Sequence, residues 1–185
     1  MLAFTAPRHA VATLTVLGSA LLLSACAPMT ARYSQEQLPN AVKVPDGHQV
    51  AMQTVGVGKI AYECKAKKDM TGHEWVFVGP DAALNDRSGM QVGKYVGPPA
   101  TWASLDGSKV TATQVAVAPA GAGNIPYQLV KANPATGSGA MQGVSYIQRV
   151  ATSGGVAPSS SCSMDTVGVK QWVPYQADYI FWKAA

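Results

Sequence analysis

Two neighbouring side chains, His73 and Glu74, are of the types that transfer protons or hold a metal ion. Neighbours on a β-strand point to opposite faces of the sheet, so this pair would converge only at a bulge. A zinc site built from histidines would need His73, the distant His48 and a carboxylate. The sequence therefore favours neither a metal site nor a cofactor.

Three aspartates, Asp81, Asp86 and Asp106, lie in segments that resemble turns. Short carboxylates in turns accept hydrogen bonds from backbone amides, which accounts for them without catalysis. The chain also lacks a Gly-x-Ser-x-Gly elbow and the Lys-Ser/Thr ending of a phosphate loop. We interpret it as a non-catalytic protein. The alternative is a secreted enzyme in which Asp81, Asp106 and His73 converge in one concave pocket with perturbed pKa values.

The candidates for binding a ligand are Trp102, Asp106 and Arg149. Trp102 follows a Gly-Pro-Pro loop, and binding residues are often found on loops. Arg149 lies in a strand-like run, where it could bind an anionic ligand or, as the simpler interpretation, pair with a buried carboxylate. Aromatic residues on alternating strands more often belong to the core, so most of the tryptophans are expected inside.

Cys26 is a candidate for covalent modification because of the residues before it. Arg8 precedes a 13-residue apolar run from Val11 to Leu23, which leads into Leu23-Ser24-Ala25-Cys26. This pattern is typical of a secretory signal, and the run is too short to span a bilayer, which needs about 20 apolar residues. Leu-Ser-Ala-Cys resembles the lipobox of bacterial lipoproteins, whose cysteine is acylated and becomes the first residue. The alternative is ordinary cleavage after Ala27, releasing a soluble protein that starts at Pro28.

The lipobox resemblance implies that the lipid bilayer is a partner of the protein, through acyl chains such as palmitate on Cys26. It also implies a location at the cell envelope. Ala27 follows the cysteine where an aspartate could stand, which resembles the sorting pattern for the outer membrane. In a Gram-negative host the protein would face the periplasm. Any further partner would be a protein or small-molecule ligand that the sequence does not identify.

The charge balance argues against nucleic acid as a partner. Of the 14 Lys and Arg, Arg8 would leave with the signal, so 13 basic residues face 10 Asp and Glu, a net charge of +3. The nearest approach to a basic cluster, Lys65 to Lys68, has Glu63 and Asp69 beside it. Proteins that bind nucleic acids usually carry a basic stripe with aromatic or motif support, and none is present.

With Cys26 acylated, two cysteines remain, Cys64 and Cys162. In a compartment that oxidises thiols, this pair predicts one disulfide. The alternative is a metal or redox pair. Neither cysteine lies in a Cys-x-x-Cys motif or has a histidine near it in the sequence, so that alternative lacks support.

The elements that must position these residues are predicted to be strands. Ile60, Tyr62 and Cys64 alternate with more polar residues, and residues 173–181 keep a period of two. Turn residues such as Asp106-Gly107 separate the runs and favour hairpins. Helical patterns are weak, with short helical turns expected at most near 81–84 or 125–129. We predict a mainly β fold: a sandwich or small barrel of short, mostly antiparallel strands with few short helical turns.

The predicted organisation has three parts in one chain of 185 residues. Residues 1–25 form the lipoprotein signal peptide, and residues 26–47 form a lipid-anchored polar tether with an extended lead-in. Residues 48–185 form a single β-rich domain, which is long enough to bury a core.

A set of short stretches, in a fixed order over roughly residues 38–182, resembles the bacterial and fungal secreted family known as domain of unknown function 3455. The stretches are Leu38-Pro39 to Val44-Pro45, Ile60 to Cys64, Gly79 to Ala82 with Leu84, Trp102 with Asp106 to Ser108, Ile125 to Tyr127, Ile147 to Arg149, Thr152 to Gly155, Ala157-Pro158, Cys162 and Tyr175 to Phe181. The resemblance implies a secreted domain and no particular reaction. The family usually has a histidine before Ala-Gly-Pro-Thr-Trp, whereas Lys94 to Trp102 contains none, so chemistry that needs this imidazole is not expected.

Overall fold

The computed structural model describes residues 1, 3 and 33–185, of which residues 33–185 form one compact unit. Cys26, the predicted signal peptide apart from Met1 and Ala3, and the first part of the predicted tether lie outside the described residues. Eight strands and two 3-10 turns follow one another along the unit. They are a 3-10 turn at Asn40–Val42, β1 His48–Ala66, β2 His73–Asn85, β3 Gln91–Val96, β4 Thr101–Ser104, β5 Lys109–Ala118, β6 Tyr127–Ala132, β7 Val144–Gly154, a 3-10 turn at Met164–Thr166 and β8 Lys170–Ala184.

The strands form one closed barrel in which each strand pairs antiparallel with its neighbour along the chain. β8 closes the barrel against β1, with Gly56 opposite Ala177 and Glu63 opposite Lys170. The predicted β-rich single domain is confirmed, and of the two architectures expected, the structure is the barrel. The helical turns expected near 81–84 and 125–129 are wrong, because the first lies inside β2 and the second largely inside β6.

The inward faces of the strands fill the barrel with apolar and aromatic side chains. On β8, the predicted period of two places Tyr175, Ala177, Tyr179 and Phe181 inside, each 4% exposed or less. Their neighbours Ile180 and Trp182 point outward and yet are also buried. This outer face must therefore be covered by another part of the chain.

The cover is the segment of residues 33–45, which was expected to belong to the tether and lead-in. Val42 and Val44 are buried in a second apolar cluster together with Leu129 and Ile180 from the outer face of the barrel. Gln148, which is fully buried, joins the two parts: its Nε2 donates to the backbone oxygen of Val42 at 2.7 Å. The indole nitrogen of Trp182 donates to Gln148 Oε1 at 2.9 Å. The amide of Gln148 therefore donates to the covering segment and accepts from the outer face of the barrel.

The two ends of the barrel differ. At one end, called here the Met141 end, the loop of residues 133–143 brings Met141 into the core, where it is 1% exposed. At the other, called here the disulfide end, Cys64 at the end of β1 is bonded to Cys162 in the loop of residues 155–169, with Cα atoms 5.5 Å apart. The predicted disulfide is confirmed. Within the described ranges, no helix has the length and apolar character needed to cross a membrane.

Candidate functional site

The candidate acid–base residues do not converge. His73 is the first residue of β2, at the disulfide end, and Asp81 is eight residues further along the same strand. At the rise of a strand this separates them by about 25 Å. Asp106 lies in the turn between β4 and β5, at the Met141 end. The shared pocket that the enzyme alternative required is therefore not formed by these three residues.

The two histidines of the barrel are further apart still. His48 is the first residue of β1, whereas His73 pairs with Ala66, the last residue of that strand. The ring of His48 packs edge-on against Tyr146 at 5.0 Å between centroids, and its Nδ1 lies 3.0 Å from the backbone oxygen of Pro45. In the part of the chain that the structure describes, no three His, Cys, Asp or Glu side chains cluster closely enough to hold a metal ion.

Asp106 holds two loops together. One carboxylate oxygen accepts hydrogen bonds from the backbone and hydroxyl of Ser108, at 2.9 and 2.6 Å. The other accepts from the amide of Ala140 at 2.7 Å, which ties the 133–143 loop to the β4–β5 turn. These bonds, with Ser108 foremost, hold the pKa of the Asp106 carboxyl well below its usual range. The structure thus gives Asp106 a structural contact at the Met141 end, away from the cleft described below.

Trp102 is a core residue of the barrel. It is 2% exposed and stacks on Tyr95, with ring centroids 4.4 Å apart and planes 18° apart. Tyr179 packs edge-on against it at 6.0 Å. Among the described residues, no acceptor lies within reach of its indole Nε1. The ring is therefore placed for packing inside the barrel.

Arg149 lines a cleft across the barrel at the disulfide end. The cleft has a volume of about 240 Å³, and we call it the Arg149 cleft. Its walls combine side chains of five strands, β1, β2, β5, β6 and β7, with two residues of the loop before β6. They are Ile60, Tyr62, Phe77, Gln114, Ile125, Pro126, Gln128 and Arg149. One side is apolar and aromatic, while the other carries two amides and one guanidinium group.

The guanidinium group of Arg149 is fixed by a backbone carbonyl. Its Nε and Nη2 both donate to the oxygen of Pro126, at 3.2 and 3.0 Å. The expected pairing with a buried carboxylate is wrong: within residues 33–185, the ion pairs join Lys65 to Glu63 and Arg87 to Asp178. Arg149 is thus a partly buried cation with no carboxylate partner in the described structure.

The walls of the cleft are held by hydrogen bonds that do not involve Arg149. Tyr62 donates its hydroxyl to the backbone oxygen of Gly155 at 2.7 Å, and Thr152 donates to that of Ile125 at 2.7 Å. Gly155 has φ +80°, and a Cβ there would lie 2.9 Å from Tyr175 Cβ and 3.0 Å from Ile125 Cγ2. Only glycine fits this crossing of strand and loop, which packs against Ile125 in the wall of the cleft.

Sequence reasoning found Arg149 and missed the residues around it. Gln114, Gln128 and Arg149 occupy inward-facing positions on three consecutive strands, where the neighbouring inward residues are apolar. A polar residue at an inward position breaks the alternation of polar and apolar residues along a strand. That break is the feature of the sequence from which Gln114 and Gln128 could have been identified as lining residues. Assigning the inward face required the register of β5, which shifts between Gln114 and Ala116.

Comparison with known proteins identifies a family and no function. The family described as protein of unknown function (DUF3455) matches residues 45–183, which is most of the chain. No curated protein and no solved structure matches.

Proposed function

The chain belongs to the DUF3455 family of proteins of unknown function, and on that premise we propose that it is a lipid-anchored protein of the cell envelope that binds a small ligand without catalysis. The observation that carries this proposal is the composition of the Arg149 cleft. The cleft presents a fixed cation and two amides opposite apolar walls, which is the usual composition of a binding site for a small molecule.

The same composition argues against catalysis in this cleft. Its lining contains no carboxylate, histidine, serine or cysteine that could act as a base, acid or nucleophile. The hydroxyl of Tyr62 is bonded to Gly155, and burial raises the pKa of that phenol. Tyr62 therefore stays neutral and bonded at physiological pH and is a poor proton acceptor.

A survey of activity and binding tests this proposal. Purified protein is assayed against a panel of ester, peptide, glycoside and phosphate substrates, and by NMR against a panel of small organic molecules. We expect no turnover, and ligand-induced shifts that map to Tyr62, Gln114 and Gln128. Hydrolysis of any substrate that disappears on substitution of a single residue would refute the non-catalytic function.

The anchor is the second part of the proposal. The sequence Leu23-Ser24-Ala25-Cys26 supports acylation of the cysteine thiol, and a protein with several acyl chains stays on the membrane. Ala27 supports delivery to the outer membrane in a Gram-negative host, where the barrel would face the periplasm. The disulfide between Cys64 and Cys162 fits such an oxidising compartment.

Replacing the thiol tests the anchor. We expect Cys26→Ser to abolish incorporation of an alkyne fatty acid and to move the protein from the membrane fraction to the soluble fraction. Ser24→Ala, which keeps the thiol, serves as the matched control and should retain the label. Persistent labelling of Cys26→Ser, or a natural N-terminus at Pro28, would contradict acylation at this residue.

A further inference from the structure

The ligand class follows from which nitrogens of Arg149 are already bonded. A guanidinium group presents one edge formed by Nε and one terminal nitrogen, and a second edge formed by both terminal nitrogens. The carbonyl of Pro126 takes the first edge and fixes the plane of the group. Within the described residues, Nη1 makes no hydrogen bond, so the second edge is available. That edge matches the two oxygens of a carboxylate.

The charge on Arg149 is not balanced by the side chains around it. The guanidinium is close enough to Tyr62, Tyr95, Tyr175 and Tyr179 to lower their pKa values, but burial outweighs it and raises each of them. The pKa of Tyr175 reaches about 12, so this phenol is neutral at physiological pH. Since these tyrosines are neutral at physiological pH and no ion pair reaches Arg149 in the described structure, the guanidinium group can pair with an anionic ligand.

The remaining walls define the body of that ligand. Ile60 and Ile125 are buried apolar residues, and the ring of Phe77 packs edge-on against Tyr62 at 6.1 Å between centroids. A volume of about 240 Å³ is below the usual range for drug-sized ligands and suits one ring or a short aliphatic chain. Gln128 donates to Gln114 at 2.7 Å, which orients both amides at the polar side.

We propose that the Arg149 cleft binds a small organic carboxylate with a flat apolar body, about the size of benzoate. The carboxylate accepts two hydrogen bonds from Nη1 and Nη2 of Arg149, and the body lies against Ile60, Ile125 and Phe77. This inference rests on the proposed ligand-binding function and adds the chemistry of the ligand.

Calorimetric titration with benzoate, and separately with neutral benzamide of the same size, tests the inference at constant ionic strength. The protein is used as the cell processes it, in a mild non-ionic detergent. We expect benzoate to bind with a dissociation constant in the micromolar to millimolar range, as for other ligands of about ten atoms. Benzamide should bind about tenfold more weakly or worse, because it cannot pair with the cation.

Three arginine variants locate the effect. Arg149→Met should weaken benzoate binding about tenfold or more and leave benzamide binding unchanged. The matched control Arg87→Met removes the same charge at the opposite end of the barrel. It should change the affinity for neither benzoate nor benzamide. Arg149→Lys keeps the charge but not the planar guanidinium group. Its affinity for benzoate should therefore lie between those of the wild type and Arg149→Met. The comparison of benzoate with benzamide on the wild type holds even if a variant fails to fold.

Three results would overturn the inference in distinguishable ways. Equal binding of benzoate and benzamide in the cleft would refute the carboxylate while leaving the ligand-binding function in place. Unchanged benzoate affinity in Arg149→Met would place the ligand elsewhere. If neither these probes nor any neutral molecule of the panel shifts the cleft residues, both the inference and the ligand-binding function fail.

Discussion

Trp102→Ala is expected to lower the free energy of unfolding by about 3–5 kcal/mol, the range for removing a large aromatic side chain from a packed core. The indole is 2% exposed, stacks on Tyr95 and contacts Tyr179 inside the barrel. Its removal would take away apolar burial and the aromatic pairs together, and the closed barrel cannot collapse easily into the space. Urea unfolding followed by far-UV circular dichroism measures the loss.

Trp102→Phe is the matched variant and should lower the free energy of unfolding by only about 1.5 kcal/mol or less. Phenylalanine keeps the stack on Tyr95 and removes the Nε1 group, which has no acceptor among the described residues. Removing an unpaired buried donor recovers about 1–3 kcal/mol of folding free energy. This gain offsets part of the free energy that is lost because the phenyl ring is smaller than the indole. A loss as large as that of Trp102→Ala would show that Nε1 is bonded in the folded protein.

Removing the disulfide is expected to have the second large effect. The double variant Cys64→Ala/Cys162→Ala should lose about 2–5 kcal/mol, since the bond closes a loop across a sequence separation of 98 residues and restricts the unfolded chain. Chemical unfolding of the double variant beside Cys26→Ser, which keeps the bond, isolates the effect of the pair. A change below about 1 kcal/mol would mean that the unfolded chain is hardly restricted by the bond.

Local patterns predicted much of the barrel. Residues 173–181 keep a period of two, and Tyr175 and Tyr179 lie inside as the pattern predicts. Asp106-Gly107 forms the tight turn between β4 and β5, with Gly107 at φ +92° as the hairpin signature implies. These features depend on residues close in sequence, where side-chain period and turn chemistry act directly.

The parts that sequence reasoning missed depend on long-range register. The β1–β2 ladder shifts between Ala61 and Tyr62, and Phe77 pairs with Tyr62, is 54% exposed and lines the cleft rather than the core. The segment of residues 33–45 looked like a polar tether because only a few of its side chains, such as Val42 and Val44, make the buried contacts. The closure of β1 against β8 and the cover over Gln148 could not be derived from local periodicity.

The central claim is that Arg149 is the cation that receives a ligand, and its side chain can be observed directly. If cleavage occurs before Cys26, the mature chain carries three arginines, Arg32, Arg87 and Arg149, so protein labelled with ¹⁵N-arginine gives few Nε–H resonances to assign by substitution. On addition of benzoate, the account predicts a saturable shift of the Arg149 resonance alone. The account would be contradicted if the Arg149 resonance did not shift, or if the Arg87 resonance shifted together with it.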